Sequence, residues 1–568
     1  MNVEFKYAGQ SGVVAGLSSA RVAFATNELR DAAFFRGELA RPLVMRDAMA
    51  ALFAVVVSDL KFHVRDRVAF RAWLEQQDRE FLRGLVVRGE QIRRQIEERE
   101  VRLAELDDAR AELQRPFRAA RRAYFEYAYA QQYELEYLLD PVISIHPDEL
   151  SFEAFSRDES SYARVALKYD LFAKIDAFEC GTTNVDFSTR LHRQLDRMRS
   201  YRQTRFDVDA GGFTVTNRED GGHREKKIDV PESWTNGFLQ VQSVMTLGLR
   251  RIRLAPIDVF NLCRFLARFR AKTSPRALRW QLEPGRPTRV VFEPWEHTLT
   301  LSPVSVYQGE RSEFIRTWGR DRLKVLERLL PTMQHTDVHL AGHGMPSIWV
   351  CDLGDLTFTL GLSGWTDQDW NAGASFELLA RRLDADPAAL TRAYETLRRE
   401  RYGSVDRLAE LTGLGVQQTR ACLSFLCQSG RAMFDLSTGV FRHRDLFFTP
   451  FVAQAAIARA QLVSEQQDPK AKAARQVFEA GDARFTARRP HQGGYKLSGS
   501  VRGTDGERTR PLLSVDAEGQ IIEATCTCKH FRTHRLTTGP CEHMLALRLA
   551  HMARLRSEDE RQQEVDPL

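Results

Sequence analysis

The sequence predicts a multidomain α+β protein, and three observations lead to that fold class. The chain has 568 residues, which at about 100–200 residues per domain predicts about three to five domains. Its composition, 43% hydrophobic and 28% charged, is typical of a globular chain. Helical periodicity, strand-like runs and a C-terminal cluster of cysteines follow one another along the chain. The predicted parts are an N-terminal α/β segment (1–64), a long helical arm or hairpin (65–140), a mixed α/β body (141–383), a three-helix segment (384–446), a helical connector (447–490), a small sheet followed by a helix (491–556) and a flexible tail (557–568).

The first 140 residues combine a short helix with a very long one. Arg41–Leu60 is predicted as a helix because its apolar residues are three and four positions apart. In the arm, apolar residues from Phe70 to Leu103 alternate at spacings of four and seven, which is an eleven-residue repeat. Such a repeat keeps one apolar stripe on a nearly straight helix, about 75 Å long over residues 65–114. The stripe is either buried within a hairpin or recruits a partner.

The body alternates strand-like and helical patterns and carries no recognised catalytic motif. Its strand candidates are Phe213–Thr216, Arg289–Phe292, Thr298–Leu301, Ser347–Cys351 and Leu356–Leu360. Its helix candidates are Thr189–Arg202, Ile257–Arg270 and Ser312–Leu330. His335, His339 and His343 are four apart, but the strand pattern around them indicates ordinary histidines. The sequence contains neither Gly-x4-Gly-Lys-Ser/Thr nor His-Glu-x-x-His, so we predict a protein that is not an enzyme and has no catalytic residues.

Residues 384–446 have the element order of a winged helix-turn-helix. Three helices are predicted, with Ser404 capping the second and Gly430 ending the third. Two strands, Arg431–Leu436 and Val440–His443, flank the turn Ser437–Gly439 and form a hairpin. A winged helix of this kind either places its third helix in the major groove of DNA or serves only for packing or dimerisation.

A metal site is predicted from the cysteines near the C-terminus. Five of the eight cysteines are scattered, whereas Cys526, Cys528 and Cys541 lie within sixteen residues, and His543 follows the last of them. We expect Cys526 and Cys528 to project from the same side of a strand, and Cys541 and His543 to lie in the first turn of a helix. Three thiolates and one imidazole form a tetrahedral set that suits one structural zinc ion and leaves no position for water. A rival ligand set uses His530 or His534.

The residues around these ligands predict a small metal-dependent module. Tyr495–Arg502, Pro511–Val515 and a strand beginning at Gln520 can pair, and a helix runs from Cys541 to about Leu555. A sheet and helix this small have little core of their own, so metal binding would supply much of their folding free energy.

The spacing Cys-x-Cys, twelve residues, Cys-x-His, followed by a helix, resembles that of the SWIM zinc finger family. The match covers roughly residues 490–556. The resemblance implies binding to DNA or to proteins. Two further stretches, Phe292–Trp295 and Leu360–Trp365, resemble large bacterial SWIM-finger proteins. That likeness implies association with a MoxR-type AAA ATPase and a von Willebrand factor A protein.

The positive charge of the chain is concentrated in its C-terminal part. Residues 470–556 contain 16 Lys and Arg against 8 Asp and Glu, a net charge of +8, so the rest of the chain carries −2 of the total of +6. An excess of this kind attracts phosphates or an acidic partner; the alternative is that it is only a solvated surface. The candidate nucleic-acid contacts are Gln417, Gln418, Thr419 and Arg420 in the third helix, Arg442 and Arg444 on or beside the wing, and Lys529, Arg532 and Arg535 in the finger.

Two non-enzymatic functions therefore stand side by side, and an enzyme with an unrecognised site in residues 141–380 is a third alternative. The first is a zinc-binding, non-enzymatic DNA-binding protein that uses the finger and the winged helix. The second is a protein–protein adaptor whose zinc finger is purely structural and which makes no contact with DNA. The sequence shows no signal peptide and no apolar run of the ~20 residues needed to cross a bilayer, so we predict a cytoplasmic protein without membrane contact.

Overall fold

The computed structural model describes most of the chain outside the predicted arm. The described residues are 12–15, 19–25, 33–58, 141–185, 187, 191–192, 195, 198–201, 203–209, 232–270, 276–342, 344–364, 370, 386–447, 450–458, 469–491, 494–515, 521–536, 539–551 and 554. The predicted arm (65–140), the tail (557–568), the strand candidate Phe213–Thr216 and most of the helix candidate Thr189–Arg202 lie outside these residues.

Strands dominate the described residues. In chain order, the strands are β1 Gly12–Ala15, β2 Ser19–Ala25, β3 Phe34–Leu39, β4 Val142–Ile145, β5 Glu149–Phe155, β6 Ser161–Lys168, β7 Phe172–Glu179, β8 Gly181–Asn184, β9 Gln203–Asp209, β10 Arg250–Leu254, β11 Leu278–Leu282, β12 Arg289–Phe292, β13 His297–Thr300, β14 Glu313–Thr317, β15 His335–Leu340, β16 Ser347–Asp352, β17 Leu356–Leu362, β18 Tyr402–Gly403, β19 Ala432–Asp435, β20 Val440–His443, β21 Ala483–His491, β22 Gly494–Arg502, β23 Arg508–Thr509, β24 Leu512–Val515 and β25 Ile521–Thr525.

The helices are fewer and mostly amphipathic. They are α1 Pro42–Val56, α2 Glu232–Met245, α3 Pro256–Arg268, α4 Pro387–Glu400, α5 Val405–Thr412, α6 Val416–Gln428, α7 Pro469–Glu479, α8 Lys529–His534 and α9, residues 542–551. Residues 453–458 form a further helical stretch. Three 3₁₀ helices span Tyr169–Leu171, Pro303–Ser305 and Arg320–Leu329.

The body is built on an antiparallel eight-stranded sheet with the order β10-β15-β16-β17-β6-β5-β4-β8. Strands β5 and β17 are buried along their whole length, and α1 packs against this sheet. A five-stranded sheet has the order β1-β2-β9-β3-β7, and a four-stranded one has the order β13-β12-β11-β14. The fold is therefore mixed α+β with several sheets, as the sequence predicts.

One body element differs from the sequence prediction. Ser312–Leu330, predicted as a helix, forms strand β14 followed by the 3₁₀ helix Arg320–Leu329. Strand β14 pairs along its whole length with β11, and Gly319, at φ 76°, separates it from the 3₁₀ helix. Pairing with a strand distant in sequence overrides the local helical pattern here.

Residues 387–443 form the elements that the sequence predicts for them, with one addition. Helices α4, α5 and α6 are followed by β19 and β20. The short strand β18, between α4 and α5, adds a third strand in the order β18-β20-β19. The side chain of Ser404 accepts a hydrogen bond from the Arg407 N–H and caps α5. These helices enclose a small apolar core of their own.

The C-terminal module begins earlier than the sequence analysis places it. Strand β21 lies inside the predicted connector, 447–490, but pairs with β22, so it belongs to the sheet β21-β22-β24-β25, in which β23 also pairs with β22. Helix α9 packs on this sheet. The apolar residues between them belong to the same continuous cluster as the core of the body, so this module shares a core that the sequence analysis does not foresee.

Candidate metal centre

Cys526 and Cys528 lie at the junction between strand β25 and helix α8. The strand ends at Thr525, and Cys528 is the N-cap residue of α8, where its sulfur accepts a hydrogen bond from the Phe531 N–H at 3.3 Å. The prediction that both cysteines project from one strand is therefore wrong in detail. A turn and a helix N-terminus bring them together.

Cys541 and His543 lie at the start of α9. Gly539 adopts a left-handed φ of 83° and Pro540 follows it, so the chain turns sharply before the helix. The Cys541 carbonyl accepts a hydrogen bond from the Leu545 N–H at 3.2 Å, which makes Cys541 the cap of the first turn. His543 is then in the same turn, as the sequence predicts.

The four predicted ligands converge. Their ligand atoms all lie within 4.8 Å of one another, and all four residues are buried. In a tetrahedral site with Zn–S bonds of about 2.3 Å, neighbouring sulfurs are about 3.8 Å apart, so the cluster fits one zinc ion. Both ring nitrogens of His543 are buried and have no hydrogen-bond partner among the described residues, which is consistent with a histidine that binds metal. His530 and His534 are not in the cluster; their rings lie 5.0 Å apart.

The protonation of the thiols also suits a metal site. Hydrogen bonds from the Cys541 thiol lower the pKa of Cys528 to about 4 and lower that of Cys526. Donating these bonds raises the pKa of Cys541. A cation bound among the three sulfurs would displace the proton that Cys541 shares with its neighbours, because the thiolate is the ligand form. When bound, zinc would hold β25, α8 and α9 together.

The surroundings of His543 fix its position. Glu542 Oε1 lies 3.7 Å from His543 Nε2, and the same carboxylate accepts hydrogen bonds from the backbone N–H and the hydroxyl of Thr504. A Cβ at Gly503 would meet His543 Nε2 at 2.3 Å. Asp505, Glu542 and His543 also form a second group of potential metal ligands. Glycine at position 503 thus leaves room for the imidazole, and Glu542 ties the ligand-bearing helix to the turn after β22.

The finger's predicted nucleic-acid contacts are exposed. Lys529, Arg532 and Arg535 are all exposed on or next to α8, which begins directly after the ligand Cys528. The guanidinium of Arg535 lies 5.2 Å from the ring centre of Phe531. The structure therefore leaves these three cations accessible to a ligand.

The predicted nucleic-acid contacts in α6 lie on different sides of the helix. Gln417, Gln418 and Arg420 are exposed, whereas Thr419 is fully buried. Thr419 faces the small core of residues 387–443, since its neighbours on the inner face of α6 are buried as well. The prediction that Thr419 contacts nucleic acid is therefore wrong.

The prediction that Arg442 and Arg444 contact the DNA backbone is also wrong, because both side chains are buried in ion pairs. The side chain of Arg442 is 1% exposed and that of Arg444 is 0% exposed. Arg442 donates to Asp148 at 2.7 and 3.0 Å. Arg444 donates from Nη1 to both carboxylate oxygens of Glu153, at 2.6 and 2.8 Å. These two arginines bind β20 and the loop after it to the sheet of the body.

The sequence analysis did not predict this network of buried ion pairs. Arg164 forms an ion pair with Glu149, and Arg442 with Asp435. Burial raises the pKa of Glu149, and Arg164 opposes the change. The available signal is the presence of Glu149 and Glu153 in a strand whose other residues are apolar except for Ser151. That pattern indicates that charges are buried, but it does not identify the arginines that pair with them almost 300 residues later in the chain.

None of the described helices is both long enough and apolar enough to cross a bilayer.

Comparison with known proteins adds little. No protein-family model matches the chain, and no curated protein matches it. Among solved structures, the proliferating cell nuclear antigen of Entamoeba histolytica is 9% identical over 40% of this chain and 89% of that one, with a TM-score of 0.28. The corresponding protein of A. fulgidus, bound to the C-terminal region of FEN-1, is 13% identical with the same coverage and TM-score. Likenesses of this size carry no argument about fold or function, so the candidate site rests on its own geometry.

Proposed function

We propose that this chain is a zinc-binding, non-enzymatic protein that binds nucleic acid through a SWIM-type finger at its C-terminus. The observation that carries the proposal is the buried cluster of Cys526, Cys528, Cys541 and His543. It supports a structural role for zinc because four protein ligands complete a tetrahedral site and leave no position for a reacting water.

The exposed cations next to the cluster support nucleic acid as the ligand. Lys529 and Arg532 are exposed on α8 and form no ion pair with any residue that the structure describes. The N-cap of α8 is the ligand Cys528, so zinc binding would also fix the orientation of these two side chains. Arginine and lysine side chains on a rigid support are the usual contacts to phosphate.

Residues 387–443 support a second contact, a winged helix. The order α4, β18, α5, α6, β19, β20 and the three-stranded sheet β18-β20-β19 are those expected of such a domain. The exposed start of α6 offers Gln417, Gln418 and Arg420, side-chain types that reach base edges and phosphates. The buried arginines of β20 and the loop after it take no part in this proposed interface.

The partners of the proposed protein follow from the sequence resemblance. The resemblance to large bacterial SWIM-finger proteins implies association with a MoxR-type AAA ATPase and a von Willebrand factor A protein. We propose both as partners of this chain. Co-purification of tagged full-length protein with either one tests this part separately.

The test is binding of zinc-loaded, full-length protein to a fluorescein-labelled DNA duplex and to its single strand, at low and at physiological salt. We expect binding that weakens with salt and is lost in Cys541→Ala together with zinc. Cys180→Ala, which removes a partly exposed cysteine outside the cluster, is the matched control and keeps both. Folded, zinc-replete protein that binds neither the duplex nor the single strand contradicts the proposal and favours the protein–protein adaptor, whose zinc finger is purely structural.

A further inference from the structure

The sheet of the C-terminal module has two faces, and strand β22 shows which one is free. Tyr495 lies against α9, with its ring 5.3 Å from that of His551. A Cβ at Gly499 would meet Leu547 of α9 at 2.3 Å, and Leu497 is buried. Because side chains alternate along a strand, residues 496, 498, 500 and 502 lie on the face away from α9.

The free face collects five cations. Lys496 and Arg502 belong to β22, and the register places Arg489 opposite Lys496, Arg508 opposite Arg502, and Arg484 opposite Ser500. Residues directly opposite in an antiparallel pair share a face. We call Arg484, Arg489, Lys496, Arg502 and Arg508 the basic face.

The cations of the basic face are accessible to solvent. Its four arginines are exposed and Lys496 is partly exposed. None of the five forms an ion pair with a residue in the described part of the chain. Acidic residues also lie near this face: Glu523, on β25, is two strands away from Lys496, and Asp482 accepts a backbone hydrogen bond from the Arg502 N–H. Asp505 and Glu507 lie in the turn between Arg502 and Arg508.

Two of the pairs place like charges directly opposite one another: Arg489 opposite Lys496 and Arg502 opposite Arg508. Like charges in that position destabilise a sheet. An anion bound between them would remove the repulsion, so this arrangement is expected where the ligand is a polyanion. The hydroxyls of Ser498 and Ser500 lie on the same face between the cations and can donate further hydrogen bonds to phosphate.

The length of the face fits a nucleic-acid backbone. Lys496 and Arg502 are six residues apart on one strand, which is about 20 Å at roughly 3.3 Å per residue. One strand of a duplex has a phosphate about every 3.4 Å of helix axis, so the face spans about six phosphates.

We propose that the basic face is the principal phosphate-binding surface of this protein and that it tracks the phosphodiester backbone of DNA without reading its sequence. The proposal rests on the nucleic-acid-binding function put forward above and adds a surface that the sequence analysis did not select. It differs from the assignment to Lys529, Arg532 and Arg535, which follow the strands and lie on or next to α8.

Adjacent arginines on one strand provide a matched test. Arg489 belongs to the basic face, whereas Arg488 lies on the other face with its guanidinium 4.2 Å from the ring centre of Tyr495. Both are exposed. Arg489→Gln and Arg488→Gln therefore make the same change of charge one residue apart. The triple variant Arg484→Gln/Arg489→Gln/Lys496→Gln removes three of the five positive charges of the basic face.

The measurement is fluorescence anisotropy of full-length, zinc-loaded protein with a labelled duplex and its single strand between ~50 and ~200 mM salt. Each phosphate contact contributes about 0.9 to the slope of log affinity against log salt for duplex and about 0.7 for a single strand. We expect the duplex slope to fall by about 0.9 in Arg489→Gln and by about 2.7 in the triple variant, and to stay unchanged in Arg488→Gln. The duplex and single-strand arms establish which form of the backbone is preferred.

Folding is checked independently by zinc content and thermal unfolding. Arg489→Gln relieves repulsion from Lys496, so its unfolding temperature should be equal to or above that of the wild type, and weakened binding then reflects the lost contact. If the wild type binds DNA but the triple variant keeps its full salt slope, or if Arg488→Gln and Arg489→Gln fall alike, the basic face is not the binding surface. Wild-type protein that fails to bind either DNA overturns the nucleic-acid function itself.

Discussion

The ion pair between Arg444 and Glu153 yields the most exacting prediction, because it separates a structural arginine from a DNA-binding one. Both side chains are 0% exposed. The Glu153 carboxylate receives two hydrogen bonds from Arg444 and a third, at 2.6 Å, from the Tyr162 hydroxyl. The guanidinium also lies 5.0 Å from the ring centre of Phe238. Arg444→Leu would leave a buried carboxylate without its counter-ion.

The expected magnitude follows from that burial. Removing one partner of a buried ion pair costs about 3–5 kcal/mol, whereas replacing both by apolar residues is often neutral or stabilising. We therefore expect Arg444→Leu and Glu153→Leu each to lower the free energy of unfolding by about 3–5 kcal/mol. The double variant should recover most of that loss.

Urea unfolding followed by tryptophan fluorescence measures these differences in a double-mutant cycle. Single variants that lose less than about 1 kcal/mol, as exposed ion pairs do, would refute the reasoning, and so would a double variant no more stable than the singles. DNA binding supplies the second readout. A stable double variant should keep the affinity of the wild type, and its loss there would restore Arg444 as a DNA contact.

Three further predictions concern the metal centre and the body. Gly503→Ala places a Cβ 2.3 Å from His543 Nε2, so we expect zinc affinity in chelator competition to fall at least about tenfold. Glu542→Gln removes the carboxylate beside the same nitrogen and should cost about tenfold or less in the same assay, while an unchanged affinity would exclude it from orienting His543. Burial lowers the pKa of His339 to about 4. In the unfolded chain this histidine takes up a proton near pH 6.5, whereas in the folded protein it does so only near pH 4. The free energy of unfolding should therefore fall by about 3 kcal/mol as the pH drops from about 6.5 to 4, and His339→Gln should remove this part of the pH dependence.

The candidate metal ligands could be predicted from the sequence because their chemistry is local. Cys526, Cys528, Cys541 and His543 lie within eighteen positions, and three thiolates with one imidazole favour zinc over cations such as magnesium and calcium, which prefer oxygen ligands. The path of the backbone between them was less predictable. Nothing in the residue types indicates that β25 ends at Thr525 and that Cys528 caps a short helix.

The wrong assignments have a common physical cause, which is contact over long sequence distances. Arg442 and Arg444 look like the basic residues of a wing until Asp148 and Glu153, almost 300 positions earlier, are placed beside them. Strand β14 has a helical pattern, but pairing with β11 decides its conformation.

Strand β21 illustrates a different difficulty. Its sequence, rich in arginine and containing Pro490, is unfavourable for a central strand, and the sequence analysis assigned it to a connector. The strand is at the edge of its sheet, where a proline and exposed cations are tolerated and where charge discourages pairing with other chains. A position at the edge cannot be deduced before the sheet is known.

Two of the candidate nucleic-acid surfaces, the start of α6 and the basic face, differ in what each can contribute. The start of α6 exposes Gln417, Gln418 and Arg420, which includes one cation and two amides able to pair with base edges. The basic face consists of five cations, with the hydroxyls of Ser498 and Ser500 between them, and contains no amide side chain. Affinity at physiological salt comes mainly from phosphate contacts, whereas sequence preference comes from base edges. Variants of the basic face should therefore weaken binding to all sequences alike, whereas variants of Gln417 and Gln418 should alter preference among sequences with little effect on the salt slope.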